Sequence, residues 1–189
     1  MNGLEQQFIM QISNFENISF WHRNLGRGKG FSLNGVPTKI YGVCLHHDNG
    51  ALGAVENIHA VRRKLTLMKE MGANAIRMSH NPHSLEMMQL CDEMGFIVQD
   101  EAFDVWKKKK VTNDYHKDWD AWHKQDLEDF IKRDRNHPSV MMWSIGNEIR
   151  EQFDSTGTTI LVGNGKRISS SSHRAYIDGL GVATASPQP

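Results

Sequence analysis

Apolar residues between positions 39 and 146 form four short continuous runs, and in the longer segments between the runs they recur every three or four positions. The runs lie at 39–45, 75–78, 96–99 and 139–146. A run of this length, bounded by polar or turn residues, is typical of a strand covered on both faces. The runs therefore predict four buried strands.

The segments between the runs predict three amphipathic helices. Each carries one apolar stripe, and the stripes are Ile58, Val61, Leu65, Met68 and Met71; Leu85, Met88, Cys91 and Met94; and Trp119, His123, Leu127 and Ile131. Natural stops follow at Gly72, Gly95 and Pro138. Strand and helix thus alternate, which predicts an α/β fold with a parallel sheet and right-handed crossovers.

Polar or ionisable residues follow every predicted strand. They are His46, His80, Asp100 with Glu101, and Asn147 with Glu148. In barrels and doubly wound sheets the carboxyl ends of parallel strands carry the chemistry, because they meet at one rim. We therefore expect these four strand ends to form the candidate site.

Both ends of the chain are poorly patterned. Phe8–Met10 and Ile18–Trp21 are candidate short strands, and Phe31–Pro37 predicts a hairpin that turns at Asn34-Gly35. After position 157, glycines and a run of four serines indicate loop or disorder. We predict a leader at 1–30, a barrel segment at 31–157 and an irregular tail at 158–189.

Charge and composition bear on partners and location. The chain has 189 residues with 22 Lys+Arg and 22 Asp+Glu, and this balance gives no reason to expect nucleic acid or an anionic membrane as partner. No long apolar stretch lies near the first residues, so we expect no signal peptide and, by default, a cytoplasmic location. We expect Lys107–Lys110 to be a solvated loop, and Cys44 and Cys91 to be buried, reduced thiols.

Glu148 is the first candidate for chemistry. A carboxyl group that is partly removed from water holds its proton closer to neutral pH, and it can then donate that proton to a leaving group. Asn147 beside it could donate to a substrate hydroxyl. Alternatively, Glu148 caps a helix that starts near Ile149, where a carboxylate is favoured. The spacing alone leaves both interpretations open.

Arg77 lies inside a short predicted strand, so its guanidinium needs a carboxylate partner. The candidates are Asp100, Glu101 and Glu148. A structural ion pair and a substrate contact are both compatible with this position.

Histidines and tryptophans offer weaker signals. The spacing of His46, His47, His59, His80 and His83, with Asp48, matches no metal-ligand motif. A sugar-binding role explains His46 and His80 better, and His59 is expected to be exposed. Trp143 is expected in the core, whereas Trp106 is a candidate for stacking on a sugar ring.

Five motifs in consistent order resemble the β-galactosidase and β-glucuronidase family, the second family of glycoside hydrolases. They are Gly35-Val36-Pro37 through Gly42-Val43, Arg77 through Pro82, Asp100-Glu101-Ala102, Arg133 through Val140, and Trp143 through Glu148. The resemblance covers about residues 30–155 and implies the first four βα units of a (β/α)8 TIM barrel. It implies a carbohydrate partner, no cofactor, and hydrolysis of β-galactoside-like O-glycosyl bonds with retention of configuration.

Roles for individual residues also follow from the resemblance. Glu148 matches the family's acid/base at the end of the fourth barrel strand, and Asn147 matches the residue that binds the sugar's 2-hydroxyl. Positions that line or adjoin the sugar pocket match His46, Arg77, His80 and Asp100.

The chain departs from that family in three respects. The family's nucleophile is a glutamate at the end of the seventh barrel strand, and no glutamate follows Glu151 here. Some members bind magnesium through Glu-x-His, which is replaced by Val105-Trp106-Lys107, so no metal is expected. A full barrel needs about 250 residues, so we expect a truncated or frame-disrupted barrel, with 1–30 as a remnant of a preceding β domain.

Two functions stay open at this point. The first is glycoside hydrolysis with a nucleophile supplied from elsewhere. The alternative is a non-catalytic fragment that binds sugar weakly or needs complementation by the missing half-barrel. Four strands of an eight-stranded barrel leave two unpaired edges, so self-association through those edges is expected.

Overall fold

The computed structural model describes residues 18–20, 31–33, 36–153, 175–178 and 181–183. The chain divides into two compact units, Met1–Tyr41 and Gly42–Pro189. Each unit has its own sheet.

The first unit contains a three-stranded antiparallel sheet. Its strands are β1 (Ile18–Phe20), β2 (Phe31–Leu33) and β3 (Val36–Pro37), in the order β1-β2-β3. The predicted hairpin and the predicted strand at position 18 are confirmed, whereas Phe8–Met10 lies outside the described residues. The hairpin pairs with β1, and both lie in the first unit.

The second unit contains a six-stranded sheet with the order β4-β5-β6-β7-β8-β9. The strands are β4 (Gly42–Leu45), β5 (Ala75–Met78), β6 (Ile97–Glu101), β7 (Val140–Ser144), β8 (Ala175–Asp178) and β9 (Gly181–Ala183). The connecting helices are α1 (Ile58–Glu70), α2 (Leu85–Met94) and α3 (Trp119–Asp134). Strands β4 to β8 are parallel and β9 is antiparallel to β8. The predicted alternation of helices and parallel strands is confirmed.

Local sequence explains where the helices begin and end. The Asn57 side chain accepts hydrogen bonds from the first N–H groups of α1, and the Ser84 side chain does the same for α2. Gly72 and Gly95 follow these helices with φ of 89° and 67°, a conformation that glycine adopts without steric cost. Both predicted helix stops are therefore confirmed.

The predicted irregular tail is only partly correct. Residues 175–178 and 181–183 form β8 and β9, and β8 pairs with β7 in the register Met142↔Ala175. These strands are short and flanked by glycine and polar residues, so they carry little apolar periodicity. Their pairing depends on the edge that β7 offers, because strand formation is decided largely by neighbouring strands.

The core of the second unit lies between the sheet and its helices. Ile76, Met78, Val98 and Val140 from the strands are buried together with helix residues that include Leu65, Met87, Leu90, Phe130 and Ile131. Trp143 is fully buried, as predicted. Among the described residues, no helix is long and apolar enough to cross a bilayer.

The two cysteines are both free thiols but differ in environment. Cys91 is buried, as predicted, whereas Cys44 is exposed. The burial predicted for Cys44 was wrong because successive side chains of a strand point to opposite faces. Val43 and Leu45 pack against the core, so Cys44 lies on the exposed face of β4.

A carboxylate pair is buried between β6 and α3. Asp100 and Asp134 are both 0% exposed, and neither oxygen of Asp100 receives a hydrogen bond from a described donor. Burial, followed by the charge of Asp134, raises the pKa of Asp100 well above its ordinary value. Asp134 is compensated by Arg133, whose Nε donates to Asp134 Oδ1 at 2.7 Å.

We predict that Asp100→Asn weakens the pH dependence of stability. Because burial raises the pKa of Asp100 in the folded state, the folded state binds more protons than the unfolded state at pH values between the two pKa values. The free energy of unfolding then falls as pH rises towards the folded pKa, by up to about 1.4 kcal/mol per pH unit. Asparagine does not titrate. Urea unfolding at pH 5 and pH 8 should therefore show a smaller loss of stability in the variant.

Asp129→Asn is the control, because Asp129 is exposed on the same helix, α3. An Asp100→Asn protein that loses as much stability as the unmodified protein between the two pH values would contradict a raised pKa of Asp100.

Candidate active site

The carboxyl ends of β5, β6 and β7 converge on one buried carboxylate, Glu101. Glu101 is 0% exposed and accepts hydrogen bonds from Arg77 Nη2 at 2.8 Å and from Ser144 Oγ at 2.6 Å. His80 Nδ1 lies 2.6 Å from Glu101 Oε1. We call Arg77, His80, Glu101, Ser144 and Asn147 the rim cluster. Its members come from three strand ends and from the turn after β7.

Asn147 connects the rim cluster to the loop that follows β6. Its Oδ1 accepts from Arg77 Nη2 at 3.0 Å, and its Nδ2 donates to Asp104 Oδ1 at 3.0 Å. Its backbone N–H donates to the Phe103 carbonyl at 3.0 Å, and Lys110 Nζ donates to its own carbonyl at 2.8 Å. Both the backbone and the side chain of Asn147 are therefore held in one orientation.

Glu148 projects from this fixed turn. Its φ is 48°, the only positive φ of a non-glycine residue in the described ranges, and such a conformation persists only where its surroundings hold it. The side chain is 82% exposed, and its Oε2 lies 3.9 Å from Lys110 Nζ. The expected partial burial of Glu148 is therefore not found, because no described residue covers its carboxylate. Helix capping is not found either, since no backbone N–H of the described residues donates to that carboxylate.

Five of the six predicted site residues meet at this rim. His46 joins the rim cluster through His80, since the two rings contact edge to face with centroids 5.0 Å apart. His46 itself is exposed. The structure thus brings together His46, Arg77, His80, Asn147 and Glu148.

Asp100 is the exception, and Glu101 occupies the position expected for it. Successive residues of a strand point to opposite faces, so only one residue of the Asp100-Glu101 pair can reach the rim cluster. The structure places Asp100 beside Asp134 of α3 and Glu101 beside Arg77. The carboxylate partner of Arg77, which the sequence left open, is therefore Glu101.

Asp104 and Lys110 contact the rim cluster although neither was among the predicted site residues. Burial would raise the pKa of Asp104, but hydrogen bonds from Asn147 and Lys110 outweigh it and lower that pKa. The Lys110 side chain is 19% exposed and lies 2.9 Å from Asp104 Oδ1, so it does not belong to the solvated loop that was predicted. Lys107 fits that prediction, since it forms an exposed ion pair with Asp120. A run of four consecutive lysines contains no signal that distinguishes the half-buried Lys110 from the other three.

Trp106 supports the turn after β7 rather than offering a surface for sugar stacking. It is fully buried, its Nε1 donates to the Ile145 carbonyl at 2.8 Å, and its ring stacks on Trp119 with centroids 5.0 Å apart. A Cβ atom at Gly146 would lie 2.4 Å from the Ile149 side chain and 3.1 Å from Trp106 Nε1. The stacking hypothesis for Trp106 is therefore wrong, and a side chain at Gly146 would force the Ile149 side chain to move.

We predict that Glu101→Gln destabilises the second unit by about 2–4 kcal/mol. Removing one member of a buried ion pair leaves the other poorly compensated, and the 29% exposure of the Arg77 side chain reduces that cost. Glutamine also has fewer acceptor sites for Arg77, His80 and Ser144. Urea unfolding followed by circular dichroism measures the change.

The matched control is Glu93→Gln, which makes the same substitution in the exposed pair Arg62–Glu93, whose side chains are 49% and 56% exposed. An exposed pair contributes less than about 1 kcal/mol. Equal losses in both variants would contradict a special role for Glu101.

Comparison with known proteins shows the family to which this chain belongs. Residues 26–166 match the family model described as the TIM barrel domain of glycosyl hydrolases family 2. The β-galactosidase BoGH2A of Bacteroides ovatus is 61% identical over 130 residues, which cover 69% of this chain and 15% of that protein. Human β-glucuronidase is 32% identical over 161 residues, which cover 82% of this chain and 24% of that enzyme.

Solved structures agree with the family model. A glycosyl hydrolase family 2 member from Bacteroides cellulosilyticus superimposes with a TM-score of 0.80 at 42% identity, covering 86% of this chain and 20% of that one. A β-glycosidase from Bacteroides vulgatus gives a TM-score of 0.76 at 42% identity, with the same coverage of both chains. This chain thus spans about a quarter or less of the length of these relatives. It belongs to glycosyl hydrolase family 2, and it forms part of that family's TIM barrel.

Proposed function

We propose that this chain takes part in hydrolysing O-glycosyl bonds of β-galactoside-like carbohydrates, with Glu148 as the acid/base. The observation that carries the proposal is the turn after β7, which holds Asn147 from four directions and leaves the Glu148 carboxylate in solvent at the rim. A fixed backbone with a free carboxyl group suits proton transfer to a leaving group, because the donor must lie within hydrogen-bond reach of it.

The rim residues suit a sugar ring. His46 is exposed, and His80 and Arg77 are partly exposed beside it, so that all three can reach a bound ligand. Glu101 orients Arg77 and His80 from below, as a buried partner that contacts no solvent. Asn147, with its amide already oriented, is proposed to bind the 2-hydroxyl of the sugar.

Retention of configuration requires a second carboxylate as nucleophile, about 5–5.5 Å from the acid/base. Glu151 is the only glutamate after Glu148, and it is 4% exposed with its Oε1 accepting from the Lys108 backbone N–H. The Glu151 carboxylate therefore binds the backbone of the loop and does not suit the role of nucleophile. We propose that barrel residues beyond this chain supply the nucleophile.

A second candidate function is sugar binding without catalysis. The 82% exposure of the Glu148 side chain favours it, because a carboxyl group that is open to water lacks the enclosure in which transition-state charge is best stabilised. In this case the rim would bind a β-glycoside weakly or require complementation by the rest of a barrel.

Hydrolysis of aryl β-galactosides and β-glucuronides distinguishes the candidates when the purified chain is assayed alone and after mixing with a separately expressed carboxyl-terminal half of a family 2 barrel, which supplies the nucleophile. We predict that Glu148→Gln lowers the rate on 4-nitrophenyl substrates by about 10²–10⁴-fold, the contribution expected of general acid catalysis. The loss should be much smaller with 2,4-dinitrophenyl leaving groups, which depart without a proton. Glu93→Gln, an exposed glutamate on α2, is the control and should retain full activity.

Equal losses of kcat/KM on both substrates would contradict the acid role of Glu148, because kcat/KM reports only the steps up to loss of the leaving group, before Glu148 would act as a base. If the unmodified chain hydrolyses neither substrate, isothermal titration calorimetry with galactose and glucuronic acid decides the second candidate. Heat of binding that disappears in an Arg77→Ala variant would support sugar binding, and absence of heat would refute it.

Association through a barrel edge stays a prediction. Strand β4 has one hydrogen-bonded neighbour in the described part of the sheet, and an unpaired strand edge favours pairing with another chain. We expect size-exclusion chromatography to show an apparent mass that rises with protein concentration. Elution as a monomer of 21.6 kDa at every concentration would contradict it.

A further inference from the structure

A second group of ionisable side chains lies apart from the rim cluster. It contains His47 from the loop after β4, Glu56 from the segment before α1, and His83 from the segment before α2. Each side chain offers one potential metal-ligand atom, and these three atoms lie within 4.8 Å of one another. The His47 and His83 rings stack with centroids 4.0 Å apart and planes inclined by 22°. We call these three residues the His–Glu–His cluster.

His83 has an unexplained polar atom. The residue is 1% exposed, and its Nδ1 has no hydrogen-bond partner among the described residues. Its Nε2 lies 3.4 Å from the Ser79 carbonyl oxygen, an acceptor that requires the proton to be on Nε2. Nδ1 therefore carries a lone pair in a buried position, and a buried acceptor without a partner is costly unless a ligand or a water satisfies it.

The other two members are oriented by neighbouring side chains. His47 Nε2 lies 2.7 Å from Asn81 Oδ1, so that nitrogen donates and the other ring nitrogen keeps its lone pair. The Glu56 carboxylate accepts from Asn49 Nδ2 at 3.1 Å and from Ser84 Oγ at 3.2 Å. Metal-binding histidines and carboxylates are characteristically held in this way by a second layer of hydrogen bonds.

We propose that His47, Glu56 and His83 bind a divalent transition metal, with Zn²⁺ as the best match. Two imidazole nitrogens and one carboxylate oxygen suit Zn²⁺, whereas Mg²⁺ and Ca²⁺ prefer oxygen ligands alone. Three protein ligands leave a fourth tetrahedral position for water. The metal would join the loop after β4 to the start of α2, and thereby restrain the neighbouring His46.

Binding requires a small contraction of the cluster. Ligand atoms about 2.1 Å from a tetrahedral zinc ion lie roughly 3.4 Å apart, which is closer than the present limit of 4.8 Å. The His47 ring must also turn, because a metal lies in the plane of each imidazole that binds it and the two rings are now stacked. His47 and Glu56 are half-buried residues outside helices and strands, so they can move towards the buried His83.

The spacing of the histidines did not reveal this group, because its members come from three separate segments. The inference does not depend on glycosidase activity.

Zinc titration of the chelator-treated chain, followed by calorimetry, tests the proposal. We expect one Zn²⁺ per chain and a Tm that rises by about 5–10 °C at a hundredfold excess of Zn²⁺ over Kd. His83→Ala and His47→Ala should each weaken binding by at least about 100-fold, more than the loss of a second-layer partner. Mg²⁺ at the same concentration should produce no shift in Tm.

Two matched controls use the neighbouring histidines. His46→Ala removes the adjacent residue, whose ring contacts His80 instead, and His59→Ala removes an exposed histidine on α1. Both variants should retain the affinity for Zn²⁺. His47 is half-buried, so His47→Ala keeps the test valid if His83→Ala does not fold. Affinity that is unchanged in His47→Ala, or lost equally in His59→Ala, would overturn the proposal.

Discussion

The buried carboxylate of Glu101 is the interaction on which the rim of this barrel segment depends. A charge at 0% exposure is costly unless partners replace its water, and Glu101 receives them from Arg77, His80 and Ser144. Those partners lie at or just beyond the ends of β5 and β7. The need to satisfy one carboxylate therefore sets the position of three strand ends relative to one another.

Hydrogen bonds connect Glu101 to the turn that carries Glu148. Arg77 contacts both Glu101 and Asn147, while Asp104 and Lys110 hold the other side of Asn147. The side chains that orient Asn147 are buried or half-buried, whereas the carboxyl group of Glu148, which is proposed to react, is exposed. This division is physically reasonable, because orienting groups gain strength from a low dielectric whereas a proton donor must reach its substrate.

Adjacent residues of the chain contact two different environments, in strand β6 and in the loop after β4. Glu101 faces the rim cluster while Asp100 faces Asp134, and His46 contacts His80 while His47 stacks on His83. Neighbouring residues thus belong to the candidate sugar site on one side, and to a buried carboxylate pair or a candidate metal site on the other. The same alternation explains why Glu101, and not the predicted Asp100, belongs to the rim.

The sequence by itself determined the alternation of strands and helices and the helix ends at Gly72 and Gly95, because these depend on local spacing and turn chemistry. The family was indicated by the resemblance of five motifs to known members. The sequence also placed polar residues at every strand end. Only the tertiary structure decided which of these residues meet. That depends on the face of the strand to which each side chain points, and on contacts between residues as far apart in the chain as Arg77 and Asn147. Burial of Trp106 and Lys110, pairing of β8, and convergence of His47, Glu56 and His83 likewise arise only when separate segments pack together.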